Sequence, residues 1–288
     1  KFSLRGNDVI PVLFLNTLFC SAIFLPLILL SQYTHVLDSS IFHVGAGGWE
    51  MHRWIILKSV IVLLSWVFGY FAIAQLPLTI VGPINATRPV MTLVGAMLVF
   101  GERLNAWQWV GVSLAIISLF LLARSGKREG IDFKHNKWIF FLVLAAMMGT
   151  CSGLLDKYLM ASPENGGVGL DRMMAQSWYN IYQCIMMGAV LLVYIFNQRK
   201  KAERTAHFSW KWSILLISIF LSMADFAYFY ALSLPGAMIS IVSMVRRGSV
   251  LVSFLCGALL FREKNLKAKA IDLCFVLLGM IFLWIGSR

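Results

Sequence analysis

The sequence predicts an all-α polytopic membrane protein built from two inverted five-helix repeats. Three observations lead to this class. Hydrophobic residues make up 59% of the chain and charged residues only 13%, whereas about a quarter of the residues in a soluble domain are charged. Apolar runs of the length that crosses a membrane as a helix follow one another with short connections. Finally, a stretch of the first half recurs in the second.

The apolar runs define nine predicted spans and leave no connection long enough for a soluble domain. The spans cover roughly residues 8–32, 54–75, 78–100, 105–123, 138–160, 172–196, 211–232, 236–261 and 266–286. The five cysteines lie within these runs and show neither CxxC nor CxxH spacing. We therefore expect no disulfide framework, no metal site and no cofactor.

An internal repeat relates the two halves. Tyr70–Pro77, YFAIAQLP, matches Tyr228–Pro235, YFYALSLP, and the register continues without a gap so that Arg88 falls on Arg246. Further on, GAMLVFGERLN echoes GALLFREKNL after a small change of register. The halves are therefore predicted to be homologous.

The repeat sets the expected domain organisation. We assign residues 1–125 to a first repeat and residues 137–288 to a second. The second contains five predicted spans and the first only four, so we expect ten transmembrane helices in the complete fold, nine of them visible, with the first helix missing before Lys1. An odd number of spans per repeat inverts one half relative to the other, which is typical of secondary transporters.

The formal net charge of +12 is explained by the connections between spans. Lys and Arg gather at 1–6, 124–137, 197–211 and 262–269, which lie on one predicted face. Short cytoplasmic loops carry such an excess and contact anionic lipid. The charge therefore indicates contact with a lipid bilayer and not with nucleic acid. It places residues 1–6 in the cytoplasm and the C-terminus outside, so both termini of a ten-helix fold would lie outside.

Two arginines lie at matching depths in the repeat. Arg88 and Arg246 are each about 16 Å along a helix beyond Pro77 and Pro235, close to half of a roughly 30 Å hydrocarbon core. An arginine at that depth costs about 2.5–3.5 kcal/mol on insertion scales. The cost is tolerated where the side chain faces a wet cavity or pairs with an acid.

Polar residues accompany both arginines. Asn85 and Thr92 share one helix face with Arg88, and Ser243 repeats the position of Asn85 beside Arg246. Two guanidinium groups facing one cavity would bind a carboxylate or a phosphate. Alternatively, each arginine bridges helices through carbonyl groups or pairs with an acid. Pro83 and Pro89 flank Arg88 and can bend its helix.

Asp225 is the acidic residue well inside a predicted span, and its repeat counterpart is Val67. Three roles remain open for it: a counter-ion to Arg246 or Arg247, a proton carrier coupled to transport, or a polar contact between helices. Asp156 and Lys157 end a span, and a local pair is expected there.

The aromatic residues Tyr70, Tyr228 and Trp66 lie one helix before the arginines. Each offers a ring together with a hydroxyl or an N–H group, so each is a candidate for contact with a substrate. Packing, or a place in an interfacial belt, is the alternative.

At this point the chain resembles a known family. The YFxxxxLP stretch and the later GAMLVFGERLNAWQWVGVSLAIISLFLL look like the EamA-like branch of the drug/metabolite transporter superfamily. The second copy departs, with Arg262 in place of the first glycine. The resemblance implies ten helices, a central cavity lined by the third, fourth, eighth and ninth helices, and transport of small metabolites. Many members have cytoplasmic termini, in conflict with the loop charges.

The predicted function is secondary-active export or exchange of a small polar metabolite bearing a carboxylate or phosphate, such as an amino acid, by alternating access around a midplane cavity. A flippase for a lipid or lipid-linked sugar is the alternative. An intramembrane enzyme is not expected, because HExxH, GxSxG and paired membrane carboxylates are all missing. The expected partners are a small-molecule substrate and the bilayer, with the chain a monomer or homodimer in a bacterial inner membrane.

Overall fold

The fold was analysed in a computed structural model, which describes residues 2–100, 105–127, 135–200, 208–234, 242, 246, 249–259 and 266–286. The described residues form helices and no β-strand, which confirms the predicted all-α class. The helices are α1 (Val9–Tyr33), α2 (Trp49–Gln75), α3 (Leu78–Ala86), α4 (Arg88–Phe100), α5 (Ala106–Lys127), α6 (Lys137–Met160), α7 (Arg172–Lys200), α8 (Trp212–Leu232), α9 (Ser249–Leu259) and α10 (Leu266–Gly286).

Several of these helices are long and apolar enough to cross a membrane. Among the described residues five meet both criteria, and they are Val9–Tyr33, Trp49–Gln75, Lys137–Met160, Arg172–Asn197 and Trp212–Leu232. The prediction of a polytopic membrane protein is thereby confirmed. The predicted span 236–261 lies largely outside the described residues, apart from its C-terminal part in α9. The inverted orientation of the repeats and the ten-helix total stay predictions.

The predicted span 78–100 is not one helix but two, which meet at Thr87. The Thr87 N–H donates to the Ile84 carbonyl at 3.3 Å, and the Thr87 hydroxyl donates to the same oxygen at 2.7 Å. Pro89 has no N–H to continue the helical ladder, and its ring clashes with the carbonyl four residues earlier. Asn85 therefore lies on α3, while only Arg88 and Thr92 of the predicted stripe share a helix.

The chain forms two compact units. Unit 1 comprises Lys1–Val67 and Leu155–Pro235, and unit 2 comprises Phe68–Leu154 and Gly236–Arg288. Each unit takes residues from both predicted repeats, so spatial units and sequence repeats describe different divisions of the chain. The repeat boundaries themselves stay a prediction.

In unit 1, α1 packs against α7 and α8. The contacts include polar groups: Ser21 donates to the Asn180 carbonyl at 2.7 Å, and Ser218 donates to the Asn16 side chain at 2.7 Å. Such bonds satisfy polar groups that are buried away from water, where an unmade bond would be costly.

In unit 2, α5 packs against α10. The helices approach so closely at Gly111 that a Cβ there would lie 2.7 Å from the Gly279 carbonyl oxygen. The core around this contact is aliphatic, and its buried members are Ala86, Val90, Leu93, Val112, Leu273, Val276, Met280 and Leu283. Burial of this apolar surface holds unit 2 together.

Candidate functional site

Arg88 is the first residue of α4, directly after the break at Thr87. Its side chain reaches α6, where Nη2 donates to the Ala145 carbonyl at 3.1 Å. Nε of Arg88 is buried and has no hydrogen-bond partner among the described residues. A guanidinium carries five N–H donors, so the bridge to Ala145 leaves donors for another group.

Gly149 of α6 lies directly against the Arg88 guanidinium. A Cβ at Gly149 would sit 2.5 Å from Nη1 and 2.8 Å from Cζ of Arg88, closer than side chains approach in proteins. The absence of a side chain at Gly149 therefore lets the guanidinium lie against α6. In the sequence, Gly149 and Gly153 form a GxxxG pair, a spacing typical of close helix packing.

Arg246 is partly exposed and lies within electrostatic range of Arg88. Both belong to unit 2. Two like charges repel more strongly in a low-dielectric interior than in water, and an anion beside them would relieve that repulsion. Ser243, the predicted partner of Arg246 in the binding site, lies outside the described residues.

The other predicted site residues near Arg88 differ in exposure. Thr92 is buried one turn further along α4, whereas Asn85 on α3 is partly exposed. Trp66 and Tyr70 are both partly exposed on α2, Trp66 within unit 1 and Tyr70 within unit 2. Their contact with a substrate stays a prediction.

Asp225 and Tyr228 lie on α8 in unit 1, and both are buried. The Tyr179 hydroxyl of α7 donates to the Asp225 carboxylate, and the Tyr228 hydroxyl donates to Asp156 at 3.3 Å. The Tyr228 hydroxyl is thus engaged with a buried acid, which supports the alternative that this tyrosine has a packing role. The counter-ion and proton-carrier roles of Asp225 stay predictions.

Sequence reasoning missed a buried ion pair at the centre of unit 1. Lys58 is 2% exposed and Asp156 is 4% exposed, and the Lys58 ammonium contacts the Asp156 carboxylate. The same ammonium lies 4.9 Å from the Phe229 ring centre and 5.3 Å from that of Tyr179, within the range of cation–π attraction. Four helices, α2, α6, α7 and α8, thus meet around one cation.

The buried pair corrects the expectation that Asp156 forms a local pair with its neighbour Lys157. The structure instead joins Asp156 to Lys58, almost a hundred positions earlier in the chain. The available signal was the place of Lys58 inside a predicted span, at a depth where an unpaired charge is costly.

Residues 1–124 match the model of the EamA-like transporter family. The match covers less than half of the chain. Over these residues it agrees with the resemblance predicted from the sequence, and it is consistent with membership of the drug/metabolite transporter superfamily. Together with the five helices that are long and apolar enough to cross a membrane, the match indicates an integral membrane protein similar to transporters of the drug/metabolite type.

The other two comparisons add the fold alone. No curated protein matches the chain. A solved structure titled "Crystal structure of protein" is similar at a TM-score of 0.61, with 12% sequence identity over 97% of this chain and 88% of that chain. At that identity, the likeness shows only that this chain shares the fold of the solved structure.

Proposed function

We propose that this protein is a secondary-active transporter that exports or exchanges a small polar metabolite with a carboxylate or phosphate group, such as an amino acid. It works by alternating access and resides in a bacterial inner membrane. The family match supports transport, and the substrate class rests on the chemistry around Arg88.

One observation carries the substrate class. The Arg88 guanidinium is held on α6 by the Ala145 carbonyl, yet its buried Nε has no partner among the described residues. An unmade hydrogen bond from a charged group is expensive in a buried site. A carboxylate or phosphate oxygen is the acceptor that a guanidinium binds best, because charge and fork geometry both match.

The first test is a thermal-shift screen of the purified protein against amino acids, organic acids and sugar phosphates. A ligand at about 100 times its Kd stabilises the folded state by roughly 2.7 kcal/mol. We expect at least one anionic compound to stabilise the wild type and not the Arg88→Ala variant. Arg53→Ala serves as the control, because Arg53 is exposed and pairs with Glu50 near the N-terminus of α2.

Transport of the identified ligand into proteoliposomes completes the test. Arg88→Ala is expected to abolish transport in a protein that still folds, and Arg53→Ala to retain it. Intact transport by Arg88→Ala would exclude Arg88 from the substrate site.

Asp225 is assigned the coupling role in this proposal. The Tyr179 hydroxyl donates to the buried Asp225 carboxylate inside unit 1. Asp225→Asn is expected to transport the ligand without the pH dependence of the wild type. Unchanged pH dependence in that variant would reject the coupling role.

A further inference from the structure

Two residues of α6 contact Arg88 in unit 2, and a buried polar residue follows them. The Ala145 carbonyl accepts from Nη2 of Arg88, and Gly149 provides the surface on which the guanidinium lies. Directly after it, the Thr150 hydroxyl is buried and has no hydrogen-bond partner among the described residues. A buried hydroxyl of this kind is costly unless something binds it.

Along α6, Thr150 comes one residue after Gly149, the residue that lies against the Arg88 guanidinium. Arg88 meets α6 at Ala145 and Gly149, and Gly95 meets it at Leu154, where an added Cβ would lie 2.6 Å from Cδ1. The two helices therefore run in the same direction along this contact. Thr150 lies between these two contacts along α6, and Thr92 lies between them along α4.

We infer that α6 forms a wall of the anion site, with Gly149 positioning Arg88 and the Thr150 hydroxyl donating a hydrogen bond to the bound anion. The inference rests on the proposed function and extends it, because the family resemblance assigns the cavity to other helices. The ligand group is an oxyanion, a carboxylate or a phosphate. It accepts from two donors that have no other described partner, Nε of Arg88 and Oγ1 of Thr150.

The chemistry of the two donors explains the pairing. Both Nε–H and a hydroxyl can donate, and an oxyanion offers several lone pairs but no proton. A neutral ligand would leave the guanidinium charge uncompensated, which is unfavourable in a low-dielectric site. The guanidinium supplies the charge, and the hydroxyl adds a directional hydrogen bond, since its hydrogen can rotate toward the bound oxygen.

The deciding experiment measures affinity and stability together for Thr150→Val, a change that removes the hydroxyl and keeps the shape. The probes are the anion found in the ligand screen, together with acetate, succinate and inorganic phosphate. We expect affinity to fall about tenfold, as for loss of one charge-assisted hydrogen bond. The ligand-free protein should unfold at the same temperature or higher, because an unpartnered hydroxyl has been removed.

Thr150→Ser is the matched rescue, since it keeps the hydroxyl and should bind within about twofold of the wild type. Affinity unchanged in Thr150→Val, or a loss of stability without loss of affinity, would overturn the role of this hydroxyl. If the wild type binds the anion and Thr150→Val binds it equally, the inference fails while the proposed function stands. If the wild type binds none of the probes, both fail.

Gly149→Ala tests the positioning role. The added methyl would occupy the place of the guanidinium, so we expect about a tenfold or greater loss of affinity. Gly69→Ala on α2 is the control. A Cβ at Gly69 would lie 3.7 Å from Cβ of Ala145, which is on α6 like Gly149, and that distance is an ordinary contact. Equal affinity in the two variants would show that Gly149 does not set the position of Arg88.

Discussion

Lys58 in unit 1 contacts the carboxylate of Asp156, while Arg88 in unit 2 reaches a backbone carbonyl on α6. The contrast extends to the surroundings. Around Lys58 lie two aromatic rings and the hydroxyl of Tyr228, which also binds Asp156. Around Arg88 lie Gly149, which has no side chain, and a second arginine within electrostatic range.

The difference separates two uses of a buried charge. In unit 1 the cation has its counter-charge within the protein, so the pair can hold helices together without a ligand. In unit 2 the cation keeps a buried donor without a described partner, so part of its interaction energy is left for an incoming anion. The Lys58–Asp156 pair of unit 1 is thus interpreted as structural, and the polar groups around Arg88 in unit 2 as ligand-binding.

The largest expected effect comes from breaking the ion pair. Lys58→Ala leaves Asp156 buried without its cation, which costs about 3–5 kcal/mol of folding stability. We expect the variant to unfold at a much lower temperature than the wild type in detergent, as measured by scanning fluorimetry or calorimetry.

A second variant separates charge from packing. Replacing both partners, Lys58→Met with Asp156→Leu, should restore most of the stability, because an apolar pair of similar size replaces a buried pair at little cost. The control is Arg53→Ala, which breaks an exposed pair with Glu50 and should cost at most about 1 kcal/mol. Equal losses of stability in Lys58→Ala and Arg53→Ala would show that the buried Lys58–Asp156 pair contributes no more to the fold than an exposed pair.

The aliphatic core of unit 2 should respond differently, through cavity formation. Leu283 is 1% exposed and belongs to the cluster that joins α5 and α10. Leu283→Ala should cost about 2–5 kcal/mol, the range for a large side chain removed from a packed core. Leu278 on the same helix is 46% exposed, and Leu278→Ala should cost less than about 1 kcal/mol. Similar losses at both positions would contradict the packing described for unit 2.

The helical class was predictable because every predicted span shows the same signal, an apolar composition over a length that crosses a membrane. Long apolar runs need internal hydrogen bonding in a membrane, and helices supply it. The division of span 78–100 was only half predictable. Pro83 and Pro89 indicated a bend near Arg88, yet the end of α3 at Ala86 depends on the local bonds that Thr87 makes with Ile84.

The candidate site could be proposed from the sequence where one residue carries the signal. The depth of Arg88 and its repeat partner Arg246 can be counted along the chain, and the two lie in unit 2 within electrostatic range of each other. Gly149 and Thr150 were not predictable as site residues, because a glycine and a threonine in an apolar helix are ordinary there. The Lys58–Asp156 pair was missed since it joins distant helices, and pairing across a fold leaves no local pattern.

The smallest effect on stability is expected where the effect on function is greatest. Arg88→Met keeps an unbranched side chain on α4 and removes a charge that costs about 2.5–3.5 kcal/mol at a helix centre, while losing one bond to Ala145 worth about 1.5–3 kcal/mol. These contributions nearly cancel, so the free energy of unfolding should change by less than about 1 kcal/mol, in contrast to the large loss expected for Lys58→Ala. Because the repulsion from Arg246 also disappears, a slight gain in stability is the favoured sign. Thermal unfolding without ligand measures the shift. A loss as large as that of Lys58→Ala would mean that Arg88 holds the fold together, and the contrast between the two units would then be lost.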